Sequence, residues 1–154
     1  MDVRFLLVSL EMANTKPLVA VACFCEQLLI EGDNVPSAIR IVDTYKFTVP
    51  PEATPVIAVK GLISLKSGDV TGTHIVELIL ENPLHERKTL SPPGGWPVVL
   101  NGGAHGPMIK LDFPLGVRNF GLCWFDVLFD GEVLTRMPLM LQRADSAAKT
   151  TEPS

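Results

Sequence analysis

The sequence predicts an all-β protein, an immunoglobulin-like antiparallel β-sandwich of seven to eight strands, with a small β-barrel as the alternative architecture. Three observations carry this expectation. Thirteen prolines and twelve glycines cut the 154 residues into short pieces. Between them, apolar residues recur with period two or as short continuous runs bounded by turn residues, the pattern of strands. No stretch holds a 3.6-residue apolar period for three turns without Pro or Gly, and the best helical stretch, the first dozen residues, is a weak one.

Taken in order, Leu18–Cys25 is a continuous apolar run, and Gln27–Ile30 adds a short strand before the polar turn Glu31-Gly32-Asp33-Asn34. Ala38–Phe47 follows, and Pro50, Pro51 and Pro55 then form a stiff crossover. Val56–Lys66 and Thr73–Leu80 flank Ser67-Gly68-Asp69, a turn that predicts a hairpin between them. The loop Ser91 to Pro107 runs about 17 residues, longer than structureless loops usually are in compact domains. Its Trp96, Val98, Val99 and Leu100 are costly to leave in water. They are expected to dock, either on the protein's own sheet as an extra strand or on a partner with Trp96 as anchor. Met108–Phe113, Gly121–Phe129 and Glu132–Leu141 complete the set. One domain spans 1–142, and the polar tail 143–154 is expected to be disordered.

The last two strands raise the question that bears most on function. Asp130-Gly131 is a strong two-residue hairpin signal. In that register Phe125 faces Arg136 and Trp124 faces Met137. Leu122, Trp124, Asp126 and Leu128 then share a face with Val133, Thr135, Met137 and Leu139; Cys123, Phe125, Val127 and Phe129 share the other with Leu134, Arg136, Pro138 and Met140. A bulge would slip the partners by one. Both faces are apolar, whereas a sandwich strand should alternate. One face must therefore be covered, by the chain itself or by another subunit. Pro138 places its strand along a sheet edge.

Two motifs, "CEQLLIEGDN…AIRIVDTY" and "GLCWFDVLFDGEVLTRMPL", resemble an uncharacterised family of small bacterial β-sandwich proteins. In that family an early strand leads through a polar turn to a second, and a late hairpin of this type closes the domain. The resemblance implies a β-sandwich and a bacterial or phage source. It implies no reaction, so no catalytic residue is carried over.

Composition narrows the function classes. Net charge is −4, and the 13 basic residues are scattered, which disfavours nucleic acid and anionic membranes as partners. Only 19% of residues are charged against 47% apolar, and mean hydropathy is +0.29, so an apolar surface is expected to meet something. Cys23, Cys25 and Cys123 are odd in number and sparse, and read as buried free thiols in a reducing cytoplasm. Ala20-Val21-Ala22-Cys23 has a faint likeness to a lipoprotein processing site, but the apolar run before it is short and acidic residues interrupt the start.

Chemistry-bearing motifs are sparse. His74, His85 and His105 occur singly, without metal-ligand spacing. No nucleophile elbow is present, and the glycines of Pro92 to Pro107 lack a P-loop's Lys-Ser/Thr ending. Glu11, Asp112 and Asp126 are candidate half-buried carboxylates without linking spacing; Asp126 is expected to bond Thr135 across the hairpin.

The expectation is therefore a non-enzymatic, cytoplasmic protein-binding or self-assembling module without cofactor. Its interface residues would be Trp96, Phe125, Phe129 and Met140. A second reading is a small-ligand or carbohydrate-binding domain, or a hydrolase built on one. There Trp96 would be a stacking platform and Asn101 and His105 polar contacts. No catalytic or metal-binding residue is assigned.

Overall fold

A computed structural model describes residues 15–50 and 52–144. The weak helical stretch at the start and most of the polar tail lie outside the described residues. Among the described residues ten strands run in chain order: β1 (Leu18–Ile30), β2 (Pro36–Val42), β3 (Thr44–Phe47), β4 (Val56–Lys66), β5 (Gly68–Glu81), β6 (Arg87–Thr89), β7 (Trp96–Gly103), β8 (Met108–Gly116), β9 (Gly121–Phe129) and β10 (Glu132–Arg143). Two sheets pack face to face. One has the order β2-β1-β4-β8. The other has the order β3-β10-β9-β5-β6, with β7 also pairing β5. Both sheets have free ends, so the architecture is a sandwich and no barrel closes.

The two inner faces form one core. Phe24 of β1 meets Phe125 of β9 edge-on, with ring centroids 4.8 Å apart. Around them lie Val59, Ile63 and Leu65 of β4, Val76 and Leu78 of β5, Leu100 of β7, Leu111 of β8 and Met137 and Leu139 of β10, all essentially inaccessible. Residues two apart supply this face, as the pleat requires.

Several sequence expectations are corrected. Gln27–Ile30 is not a separate strand but the end of β1. The segment 38–47 is two strands, because the chain changes sheets at Asp43. β2 runs antiparallel to β1, whereas β3 runs parallel to β10, so the sandwich is not purely antiparallel. β6 is a short strand in a stretch to which the sequence pattern assigns no element. The strand β10 continues to Arg143, whose guanidinium lies over Phe120 at 4.6 Å, so the ordered domain passes the expected boundary at residue 142.

Ser67-Gly68-Asp69 does not make a hairpin. β4 and β5 lie in different sheets, and the turn is a corner between them. β8 and β7 turn the same corner beside it: β4 pairs β8 in one sheet, and β5 pairs β7 in the other. At the bend Ser67 N–H donates to the His105 carbonyl at 2.8 Å and Leu65 N–H to the Pro107 carbonyl at 3.0 Å. Glycines make the approach possible. A Cβ on Gly106 would overlap the Leu65 carbonyl oxygen. Gly95, at φ +78°, lies against the β5 backbone, where a Cβ would come within 2.8 Å of the Val76 carbonyl oxygen. The glycine-rich loop is thus a strand and two tight approaches. Its Val98 and Leu100 are buried on the protein's own sheet.

Candidate functional site

The final hairpin has the expected turn, with Glu132 opposite Phe129. One residue later its register slips. Val133 opposes Leu128 but Thr135 opposes Val127, leaving Leu134 as the extra residue of a bulge. Met137 therefore faces Phe125, and Arg136 faces Asp126. Phe125 and Phe129, expected to face outward as interface residues, point into the core at 0% and 3% exposure. Met140 is half-buried and points away from it, its backbone N–H donating to the Asp43 carbonyl at 2.8 Å. Pro138 lies just before β3 joins β10, where the β10 edge is still unpaired.

The outward face of the hairpin is roofed by charge, a feature the sequence reading missed. Asp126 is nearly inaccessible and does not bond Thr135. It accepts from Arg136 Nε at 2.7 Å and pairs with Arg87 Nη1 at 3.2 Å. Glu81 of β5 pairs with the same guanidiniums at 3.3 and 3.4 Å. Arg136 also lies over the Trp124 ring at 4.6 Å. Two carboxylates and two guanidiniums from four strands thus form one network, and Arg136 brings it over Trp124. The network supplies polar cover for the middle of this face, while Leu122 and Val133 on it stay exposed.

A second polar cluster ties the hairpin turn to β5. Asp130, at φ +50°, accepts the Ile75 N–H at 3.0 Å and sits 2.6 Å from His74 Nδ1. The other ring nitrogen donates to the Thr71 carbonyl at 2.7 Å. Acceptors on both sides favour the doubly protonated ring. The Asp130 hydrogen bond accordingly raises the His74 pKa, and the Ile75 N–H, followed by His74, lowers that of Asp130. The ring stacks on Phe129.

The residues of the ligand-binding reading are not brought together. Trp96 and Asn101 stand at opposite-parity positions of β7, so they face opposite sides, with roughly 17 Å of strand between them. Exposed His105 lies in the corner beyond. Trp96 is half-buried against the core and borders a shallow groove between β7 and β8. All three cysteines are free thiols, and burial pushes each pKa up, so their thiolate forms are disfavoured. Among the described residues, no cluster of three or more His, Cys, Asp or Glu side chains could hold a metal ion, and no helix is long and apolar enough to cross a membrane.

Among the described residues, a run of exposed aliphatic side chains lies on the β1–β2 hairpin. β1 pairs β4 only as far as Cys25, after which the two strands part. From there the β1–β2 hairpin continues alone to Ile30, about 17 Å at strand rise. No residue from Glu26 to Ile41 is buried. Leu29, Ile39 and Ile41 share one face and are 45%, 36% and 69% exposed; Ile30 and Val35 are also exposed, at the tip. The tip itself is well tied. Glu31 N–H donates to the Val35 carbonyl and Ser37 Oγ to the Glu31 carboxylate.

No protein-family model matches the chain, and no curated protein matches it. Among solved structures it is similar to the beta-glucosidase from Listeria innocua, with a TM-score of 0.41 and 10% sequence identity. That match covers 82% of this chain and 16% of the other, so the chain spans a small part of that protein. At that similarity no activity is carried across.

Proposed function

We propose that this protein is a non-enzymatic binding module that assembles with copies of itself through the β1–β2 arm. The observation that carries the reading is the arm, sixteen residues long from Glu26 to Ile41 with none buried and five exposed aliphatic side chains. A two-stranded hairpin alone is marginal in water. β2 is also the edge of its sheet, so its outer N–H and C=O groups are free to pair. A second copy offers the same edge, and two such edges can pair antiparallel about a two-fold axis, uniting the sheets and covering Leu29, Ile39 and Ile41. A cytoplasmic, bacterial or phage setting belongs to the same proposal, supported by the three unbridged thiols.

Light scattering coupled to size exclusion tests it. The wild-type chain should run as a dimer or larger species. I39E and I41K should bring it to monomer mass with an unchanged circular dichroism spectrum, since both side chains are already exposed. V99E, at a residue 60% exposed on β7, should leave assembly intact. A wild-type chain that stays monomeric at high concentration would refute the reading.

A further inference from the structure

The edges of the two sheets diverge where β6 and β8 face each other, and a cleft of about 390 Å³ opens between them. Its volume lies in the range of small-molecule sites. The floor is apolar, built from Leu80, Leu90, Leu115, Val117, Cys123 and Leu141. The rim is polar, with three cations, Arg87, Lys88 and Arg118, beside Asn82 and Asn119 and one carboxylate, Glu86. Arg87 is neutralised by Glu81 and Asp126, and Glu86 accepts a hydrogen bond from Asn82 Nδ2 at 2.9 Å. Lys88 and Arg118 have no ion pair or side-chain hydrogen bond among the described residues. Two uncommitted cations thus stand at the mouth of an apolar cleft, in a chain whose net charge is −4.

From this we infer that the cleft binds a small amphiphilic monoanion, an organic carboxylate with a ring or short alkyl body. The body would lie on the leucine and valine floor, and the carboxylate would meet Lys88 and Arg118 at the rim, with the two asparagine amides available as donors. An inorganic polyanion would leave the floor empty, and a cationic amphiphile would meet like charge. Both elements are therefore needed for selectivity. The site is separate from the β1–β2 arm and does not depend on self-assembly.

Octanoate is the probe, titrated into the ¹⁵N-labelled chain and followed by amide chemical shifts. The shifts should concentrate at Leu115 to Asn119, Lys88 and Cys123, and should saturate. Octylammonium should bind more weakly by roughly tenfold, the scale of an opposite-charge preference at a half-exposed site. The K88E/R118E variant should lose octanoate binding by a similar factor while its other amides keep their positions, because both residues are exposed. Equal binding of octanoate and octylammonium, shifts centred on the arm instead of the cleft, or inorganic phosphate matching octanoate at the same amides would each overturn the inference. The octylammonium comparison uses the wild-type chain, so it holds even if the double variant misfolds.

Discussion

Phe125 offers the sharpest test of which hairpin face is core. Its ring is fully buried, edge-on to Phe24 at 4.8 Å and opposite Met137. An aromatic side chain buries roughly 150–250 Å², which at about 25 cal/mol per Å² is about 4–6 kcal/mol, an upper estimate because the unfolded chain is not fully extended. Losing the aromatic pair adds about 0.5–1.5 kcal/mol. Measured Phe→Ala losses in cores run about 3–5 kcal/mol, and Phe125→Ala should fall there. Phe125→Leu, which keeps most of the volume, should cost about 1.5 kcal/mol or less. Phe125→Asp should unfold the domain, since an unpaired buried charge adds to the cavity. Urea denaturation followed by circular dichroism reads the first two as shifts in midpoint at constant slope. A folded Phe125→Asp chain that differs from wild type only in oligomeric mass would show that Phe125 lies at an interface, and the core assignment would fail.

Two further predictions concern the polar clusters. In the charged roof, Asp126→Leu should be far milder than R87L/R136L, because the double variant strands a buried carboxylate, a situation that costs about 3–5 kcal/mol. A double-mutant cycle in urea should then show the pair losing more than the sum of the single changes, and simple additivity would exclude a shared carboxylate. At the turn, His74 has a raised pKa, so the stability it adds is complete below the ordinary value of 6.5 and fades as pH rises through the raised folded value. Asp130 has a lowered pKa, so its share is present above 3.8 and is lost as pH falls through the lowered folded value. The melting-temperature difference between wild type and His74→Gln should therefore be largest between those two pH values and shrink on either side; a difference independent of pH would refute the charged clasp.

The strand pattern was legible because it is local. Val56–Lys66 and Gly121–Phe129 match their sequence assignments end to end, and the Asp130-Gly131 turn forms as its residues demand. The orientation of the last hairpin was not decided locally. In the unbulged register Asp126 lies on one face and Arg136 on the other, so each face carries one charge; the bulge at Leu134 brings the two to the same outward face, where they pair. Arg87 lies 39 positions from Asp126, and nothing local announces the pairing.

By itself the sequence determined an all-β chain, its principal strands, its closing turn and the need for the segment around Trp96 to dock. Those features depend on side-chain alternation and on backbone preferences within a few residues. Only the tertiary structure decided that Ser67-Gly68-Asp69 is a corner between sheets, that Asp43 divides one extended segment between two sheets, and that the bulge at Leu134 shifts every later partner. It also set β1 free of β4 beyond Cys25, which makes the arm, and parted β6 from β8, which opens the cleft. The physical reason is common to all of these. A strand's local pattern says which residues share a face, but the partner of that face is chosen by pairings across the whole chain, and a one-residue slip changes every neighbour.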